Sequence, residues 1–171
     1  MAVLQNLDIL LFHLINHASS SIIFDYTMPV VSEAGGDLFL ITVSLVFLLS
    51  KRKEARMTGI LILAGLAVSS IAVSAMKNFF AHPRPAAVLC DAIVRTRAYG
   101  FSFPSAHTTK AFMMATVVRF SLGRGAVLYA LAIAVGVARV YLGAHVPSDI
   151  LAGMVTGTLI GYLLVRLAPR P

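Results

Sequence analysis

The sequence predicts an all-α integral membrane protein: a bundle of five transmembrane helices, with six as the alternative, behind an N-terminal interfacial helical segment. Three observations predict it. The mean hydropathy is +0.88, and 58% of the 171 residues are hydrophobic while 12% are charged. A soluble domain of this size carries about twice that charged fraction. The apolar residues also gather into stretches near the ~20 residues that a spanning helix needs. Finally, basic residues cluster at alternate connections between those stretches.

The first 35 residues read as an interfacial segment. LDILLFHLIN places apolar residues on one helical face, with Asp8, His13, Asn16 and His17 among the rest, as in a helix lying in the headgroup plane. IIFDYTMPVVSEAG reads as a second short helix, and a sixth span is the alternative. The N-terminus lacks a positive n-region and does not read as a cleaved signal peptide. The first span is GDLFLITVSLVFLLS, Gly36–Ser50, short unless it begins earlier. The second is Thr58–Ala81, the third runs from Ser105 to about Leu122, the fourth is Ala126–Leu142 and the fifth Ser148–Leu167. All are rich in Ala, Gly, Ser and Thr, which let membrane helices pack closely. No repeat or domain break interrupts residues 1–171, so the chain reads as a single domain whose helical core covers 58–167.

Lys51, Arg52, Lys53 and Arg56 join the first two spans, Arg119 and Arg124 the third and fourth, and Arg166 and Arg170 follow the fifth. These places share one side if the spans alternate, and that side is cytoplasmic by the positive-inside rule. The opposite side, with the loop Asn78–Pro104 and the turn Gly143–Pro147, then faces the periplasm or exterior of a bacterial inner (plasma) membrane. The net charge of +7 is thereby assigned to cytoplasmic loops and anionic ligands at the membrane. With Trp absent and no basic stretch interleaved with aromatics, nucleic acid is not an expected partner. Cys90 is the single cysteine, which excludes an internal disulfide and a cysteine metal cluster.

The outward side collects polar groups that composition does not explain: Lys77 and Arg84 where the second span ends, Ser105, His107 and Lys110 at the third, Arg139 ending the fourth, and His145 and Asp149 at the fifth. Taken singly, each has a plain structural role, as a snorkelling cation, a packing histidine or a helix cap. Together they are functional candidates, since ionisable groups in membranes are expensive. His145 and Asp149 lie four residues apart and share a face if both sit on one helical turn. The carboxylate can then accept one imidazole proton and leave the other nitrogen free to attack. Lys77, Arg84 and Arg139, with Ser105 and the N–H groups of a helix start, suit a tetrahedral oxyanion, most naturally phosphate. His107 is placed to protonate a leaving oxygen. Two histidines and an aspartate could also hold zinc, but three nearby cations disfavour another.

KNFFAHPRP (Lys77 to Pro85), PSAH (Pro104 to His107) and ARVYLGAHVPSD (Ala138 to Asp149) closely resemble, in order and spacing, the three motifs of the type 2 phosphatidic acid phosphatase (PAP2) superfamily: K-x6-R-P, P-S-G-H and S-R-x5-H-x3-D. Ala106 replaces the usual glycine and Ala138 the usual serine. The resemblance implies a metal-independent, cofactor-free membrane lipid phosphatase. It implies His145 as a nucleophile forming a phosphohistidine, Asp149 as its orienting partner and His107 as general acid. Lys77, Arg84, Ser105, Arg139 and the Ala106 N–H are implied as the phosphate-binding set. Expected substrates are lipid phosphates or diphosphates: undecaprenyl diphosphate, phosphatidylglycerol phosphate, phosphatidic acid or lipid A 1-phosphate. Lys110, three residues after His107, and the loop residues Arg95 and Arg97 are candidates for a second phosphate or the head group, or else simply for snorkelling and lipid contact. His82, inside KNFFAHPRP, could line the site, His13 and His17 read as interfacial, and none of the three is assigned a role. Transfer of the phosphate to a lipid acceptor is the enzymatic alternative, and a small anion transporter the non-enzymatic one.

Overall fold

The computed structural model describes residues 2–17, 21–123 and 125–169; Arg124 and Arg170 lie outside the described residues. Among these the chain is all helix: α1 Ala2–His17, α2 Ile22–Glu33, α3 Asp37–Leu48, α4 Lys53–Phe80, α5 Pro85–Val88, α6 Ala106–Leu122, α7 Ala126–Tyr141 and α8 Pro147–Leu167. The stretch Lys53–Val88 and the helix Pro147–Leu167 are long and apolar enough to cross a membrane; α3 and α7 are shorter apolar helices. The pair Gln5–His17 and Ile22–Glu33 passes the same test jointly but is bent by 117°. The expected second span is therefore longer than its apolar run. It starts at Lys53 because a helix end can extend into the headgroup zone, where Lys53 and Glu54 stay solvated.

Local chemistry sets the boundaries that carry the site. Helix α4 stops at Ala81, whose left-handed φ of 46° ends the helical ladder just before Pro83 and Pro85. Helix α6 begins after Ser105 in extended conformation and ends at Gly123 with φ 66°, a left-handed stop for which glycine is suited. Helix α8 opens with Pro147 in its first turn, where the missing N–H costs nothing.

Helix α6 is the hub, with Thr108 through Val118 all buried. It packs most extensively on α8, then on α4 and α7. The α6–α8 seam is built from Gly153, Gly157 and Gly161, spaced one turn apart. A Cβ at Gly153 would lie 2.9 Å from the Ser105 carbonyl oxygen and one at Gly161 2.7 Å from that of Met113, while one at Gly157 would collide with the Thr109 carbonyl. Lipid tails are as apolar as leucine, so such backbone-to-backbone approach supplies the van der Waals contact that holds membrane helices together. Leu40, Leu61, Ile62, Leu66, Met113, Met114, Val117 and Val118 fill the core between α3, α4 and α6.

The N-terminal segment is two helices, as expected, and both pack against α7. On α1, Phe12 and Asn16 are fully buried while Leu7, Leu10, Leu11 and Leu14 are about half exposed. Its polar residues reach into the bundle: Asp8 receives the Ser148 N–H at 2.8 Å and the Ser148 hydroxyl at 2.6 Å, capping α8 from 140 residues away. Asn16 donates from its amide nitrogen to the carbonyls of Ile93 and Tyr141, each at 2.9 Å, and accepts the Ile93 N–H at 2.9 Å.

Candidate active site

The end of α4, the start of α6, the end of α7 and the start of α8 meet at one end of the bundle. The joint between the second and third motifs is a backbone bond, from the Ser105 N–H to the Asp149 carbonyl at 3.1 Å. Ser105 is fully buried and accepts the Thr108 hydroxyl at 3.0 Å.

Asp149 is fully buried. Its Oδ2 faces His145 Nδ1 at 3.1 Å and accepts the Val146 N–H at 3.3 Å. The other oxygen, Oδ1, has no hydrogen-bond partner, and His82 Nδ1 lies 3.7 Å from it. His145 is 2% exposed. Burial pushes its pKa from 6.5 down to about 4; the bond to Asp149 raises it, and Arg139 and Arg84 add to the lowering. At neutral pH the ring is thus uncharged. With its Nδ1–H donated in a hydrogen bond to Asp149 Oδ2, the Nε2 lone pair is free, as a nucleophile requires.

The cations converge as expected, and most of their donors hold the outer loop. Arg84 donates from Nε to the Gly100 carbonyl at 3.0 Å, from Nη2 to that of Tyr99 at 2.9 Å and from Nη1 to that of Ala144 at 2.9 Å. Lys77 Nζ donates to the Phe101 carbonyl. Arg139, 7% exposed, donates from Nη1 to the Ser32 hydroxyl at 3.1 Å, and its buried Nε has no partner. Lys77 interacts electrostatically with Arg84, Arg139 and Asp149. Like charges gathered under desolvation are costly unless an anion joins them. The unpaired Arg139 Nε is consistent with such an anion.

His107 opens α6 within electrostatic range of Arg139, His145, Lys110 and Asp37. Ala106 is the first residue of α6, and Ala81 is the one non-glycine residue with positive φ among those described. The replacement of glycine at position 106 therefore brings no backbone strain, and its N–H remains one of the free donors of a helix start. Lys110 is 8% exposed and forms an ion pair with Asp37 at 2.6 Å. Arg95 pairs with Asp25 at 2.8 Å and lies 4.3 Å over the Tyr141 ring. Arg97 lines a cavity of about 450 Å³ with Arg84, Thr96, Tyr99 and Gly143.

Sequence reasoning missed the contribution of the N-terminal third: Ser32 to Arg139, Asp37 to Lys110, Asp25 to Arg95, and Asp8 to the start of α8. The available signal was polar residues punctuating otherwise apolar helices. His82 was noticed without a role and sits beside the free oxygen of Asp149, its Nδ1 also 3.0 Å from the Ser102 hydroxyl.

A family model described as the PAP2 superfamily matches residues 58–171. The chain is 31% identical to the "Putative undecaprenyl-diphosphatase YbjG" of Escherichia coli (strain K12), covering 96% of this chain and 84% of that protein. It is 27% identical to the undecaprenyl-diphosphatase BcrC of Bacillus subtilis (strain 168), covering 91% and 80%. Among solved structures it resembles LpxE of Aquifex aeolicus, with a TM-score of 0.81 and 26% identity over 94% of this chain and 95% of that one. A PAP2-type phosphatidylglycerolphosphate phosphatase from Bacillus subtilis shares the fold, with a TM-score of 0.80 at 21% identity over 96% and 85%.

Proposed function

The chain belongs to the PAP2 superfamily, and from that membership we propose that this membrane lipid phosphatase removes the terminal phosphate of a lipid diphosphate through a phosphohistidine on His145. The observation that carries the reading is the buried His145–Asp149 pair, 3.1 Å apart, set among Lys77, Arg84 and Arg139. His145 Nε2 attacks the terminal phosphorus, forming a P–N bond as the P–O bond to the leaving lipid phosphate breaks. His107 gives a proton to the departing oxygen. It then takes one from water, whose oxygen attacks the phosphorus, and the P–N bond breaks to release inorganic phosphate. Lys77, Arg84, Arg139, Ser105 and the Ala106 N–H balance the charge on the equatorial oxygens.

Two relatives named undecaprenyl-diphosphatases support a diphosphate lipid over a monoester. The second phosphate is assigned to the cavity lined by Arg84, Arg95 and Arg97 in place of Lys110, which already has a carboxylate partner. Five spans, formed by α3, α4, α6, α7 and α8, complete the reading, with the site facing away from Lys51–Lys53.

The test is phosphate release in detergent, with EDTA, from a panel of lipid monophosphates and diphosphates. Undecaprenyl diphosphate is expected to turn over fastest, and His145→Gln to lower turnover by at least about a thousand-fold. Arg97→Ala should lower activity on diphosphates more than on monophosphates, while Lys110→Ala should lower both alike. Retained turnover in His145→Gln would refute the phosphohistidine.

A further inference from the structure

At the C-terminal end of α1 a second cluster of ligand-type side chains stands apart from the groups assigned to phosphate chemistry. His13 and His17 are one helical turn apart on the same face, with ring centroids 4.9 Å apart. Asp91 reaches them from the loop between α5 and α6. Its Oδ2 lies 3.1 Å from His13 Nδ1, and its backbone carbonyl accepts from His17 Nε2 at 2.9 Å. One ligand-capable atom from each of the three residues falls within 4.8 Å of the others.

We propose that His13, His17 and Asp91 form a binding site for a divalent transition-metal ion, with Zn²⁺ the best match, that staples α1 to the outer loop. The donor set is the first argument. Two imidazoles and a carboxylate are zinc ligands, and a fourth position is left for water. Around a tetrahedral zinc, ligand atoms sit roughly 3.3 Å apart; the His13–Asp91 pair is already at that spacing, and the His17 ring has only to turn from the Asp91 carbonyl toward the ion.

Preorganisation is the second argument. On α1 each histidine directly follows a fully buried residue, Phe12 or Asn16. Asn16 in turn is bonded to both the N–H and the carbonyl of Ile93, two residues beyond Asp91. The backbone on both sides of the cluster is therefore held by buried contacts, so the ion would meet a formed site instead of two free surface segments. Charge is the third argument. Among the described residues the ion-pair partner of Asp91 is His13, while Arg95, the nearby guanidinium, is held by Asp25 and Tyr141. The carboxylate is left to imidazoles, which are neutral ligands when deprotonated.

The metal is not routed into the reaction. It would tie α1 to the loop whose far end offers the carbonyls of Tyr99, Gly100 and Phe101 to Arg84 and Lys77.

The test is calorimetric titration of the full-length protein in detergent with ZnCl₂, beside thermal melts with and without the ion. About one equivalent per chain is expected to bind the wild type and raise its Tm. His13→Gln/His17→Gln and Asp91→Asn should weaken binding tenfold or more and lose the Tm increase, whereas His145→Gln should keep both. Since the two altered rings are not buried, the double variant is expected to fold, and its Tm without zinc reports that directly. Absence of zinc binding by the wild type would overturn the proposal, as would equal binding by the double variant. Loss of phosphatase activity with zinc binding intact would bear on the reaction and leave the metal site standing.

Discussion

At the scale of single residues, His145 shows how burial holds an imidazole neutral. Its folded pKa of about 4 lies below the ordinary 6.5. Between those values the unfolded chain takes up a proton that the folded site refuses. Stability from this group is therefore fully present above pH 6.5, declines as pH falls through that window and is gone below about 4. Thermal melts of His145→Gln should lose less Tm between pH 7 and pH 4.5 than those of the wild type; parallel losses would show that the ring is not held neutral. The His145–Asp149 relation was legible in the sequence because its geometry is local, four residues along one turn. The partners of Lys110 and Arg95 were not. Asp37 lies 73 positions from Lys110, and Asp25 lies 70 from Arg95, and no periodicity encodes such meetings. That is why the sequence left Lys110 open between a phosphate contact and a snorkelling cation, while in the fold it pairs with Asp37.

Among the elements, the α6–α8 seam governs the site. Ser105 and His107 begin one helix and Asp149 the other, so the approach of these helices sets the separation of the two imidazoles. Gly157→Ala would drive a methyl group into the Thr109 carbonyl. It is expected to cost about 1–3 kcal/mol of stability, read as a lower Tm in detergent. Val155→Ala, on the exposed face of the same helix, should cost much less. The positions of α6, α7 and α8 were legible from their apolar runs to within a residue or two. The tightness of the seam was also written in the sequence, as three glycines at four-residue spacing, though composition alone marked it only as a small-residue helix. The start of α4 was less legible, five residues before its expected position, because an apolar run measures the part of a helix in lipid and not where its hydrogen-bond ladder begins.

For the molecule as a whole, Lys53 and Arg56 stand at the opposite end of α4 from Lys77, and the positive-inside rule would set the Lys77 end outside. A built-in reporter can examine it. Cys90 is the one cysteine of the chain, is exposed, and lies in the loop at the site end. A membrane-impermeant maleimide is expected to label it in intact right-side-out vesicles. Labelling confined to inverted vesicles would place the site on the cytoplasmic face. The all-helical membrane architecture was legible from hydropathy. The embrace of the site end by α1 and α2 was not, since their anchoring residues, Asp8, Asn16, Asp25 and Ser32, look like ordinary polar interruptions until their distant partners are known.

The glycine seam also constrains how a long-chain substrate gets in and out. Two backbones already in contact offer no slot between them, and prying them open would pull the two imidazoles out of register. Whatever parts to admit a polyprenyl or acyl tail must therefore be another flank of the bundle. The pair His107 and His145 then behaves as a fixed anvil, and the breathing of the protein is left to helices that carry neither ring.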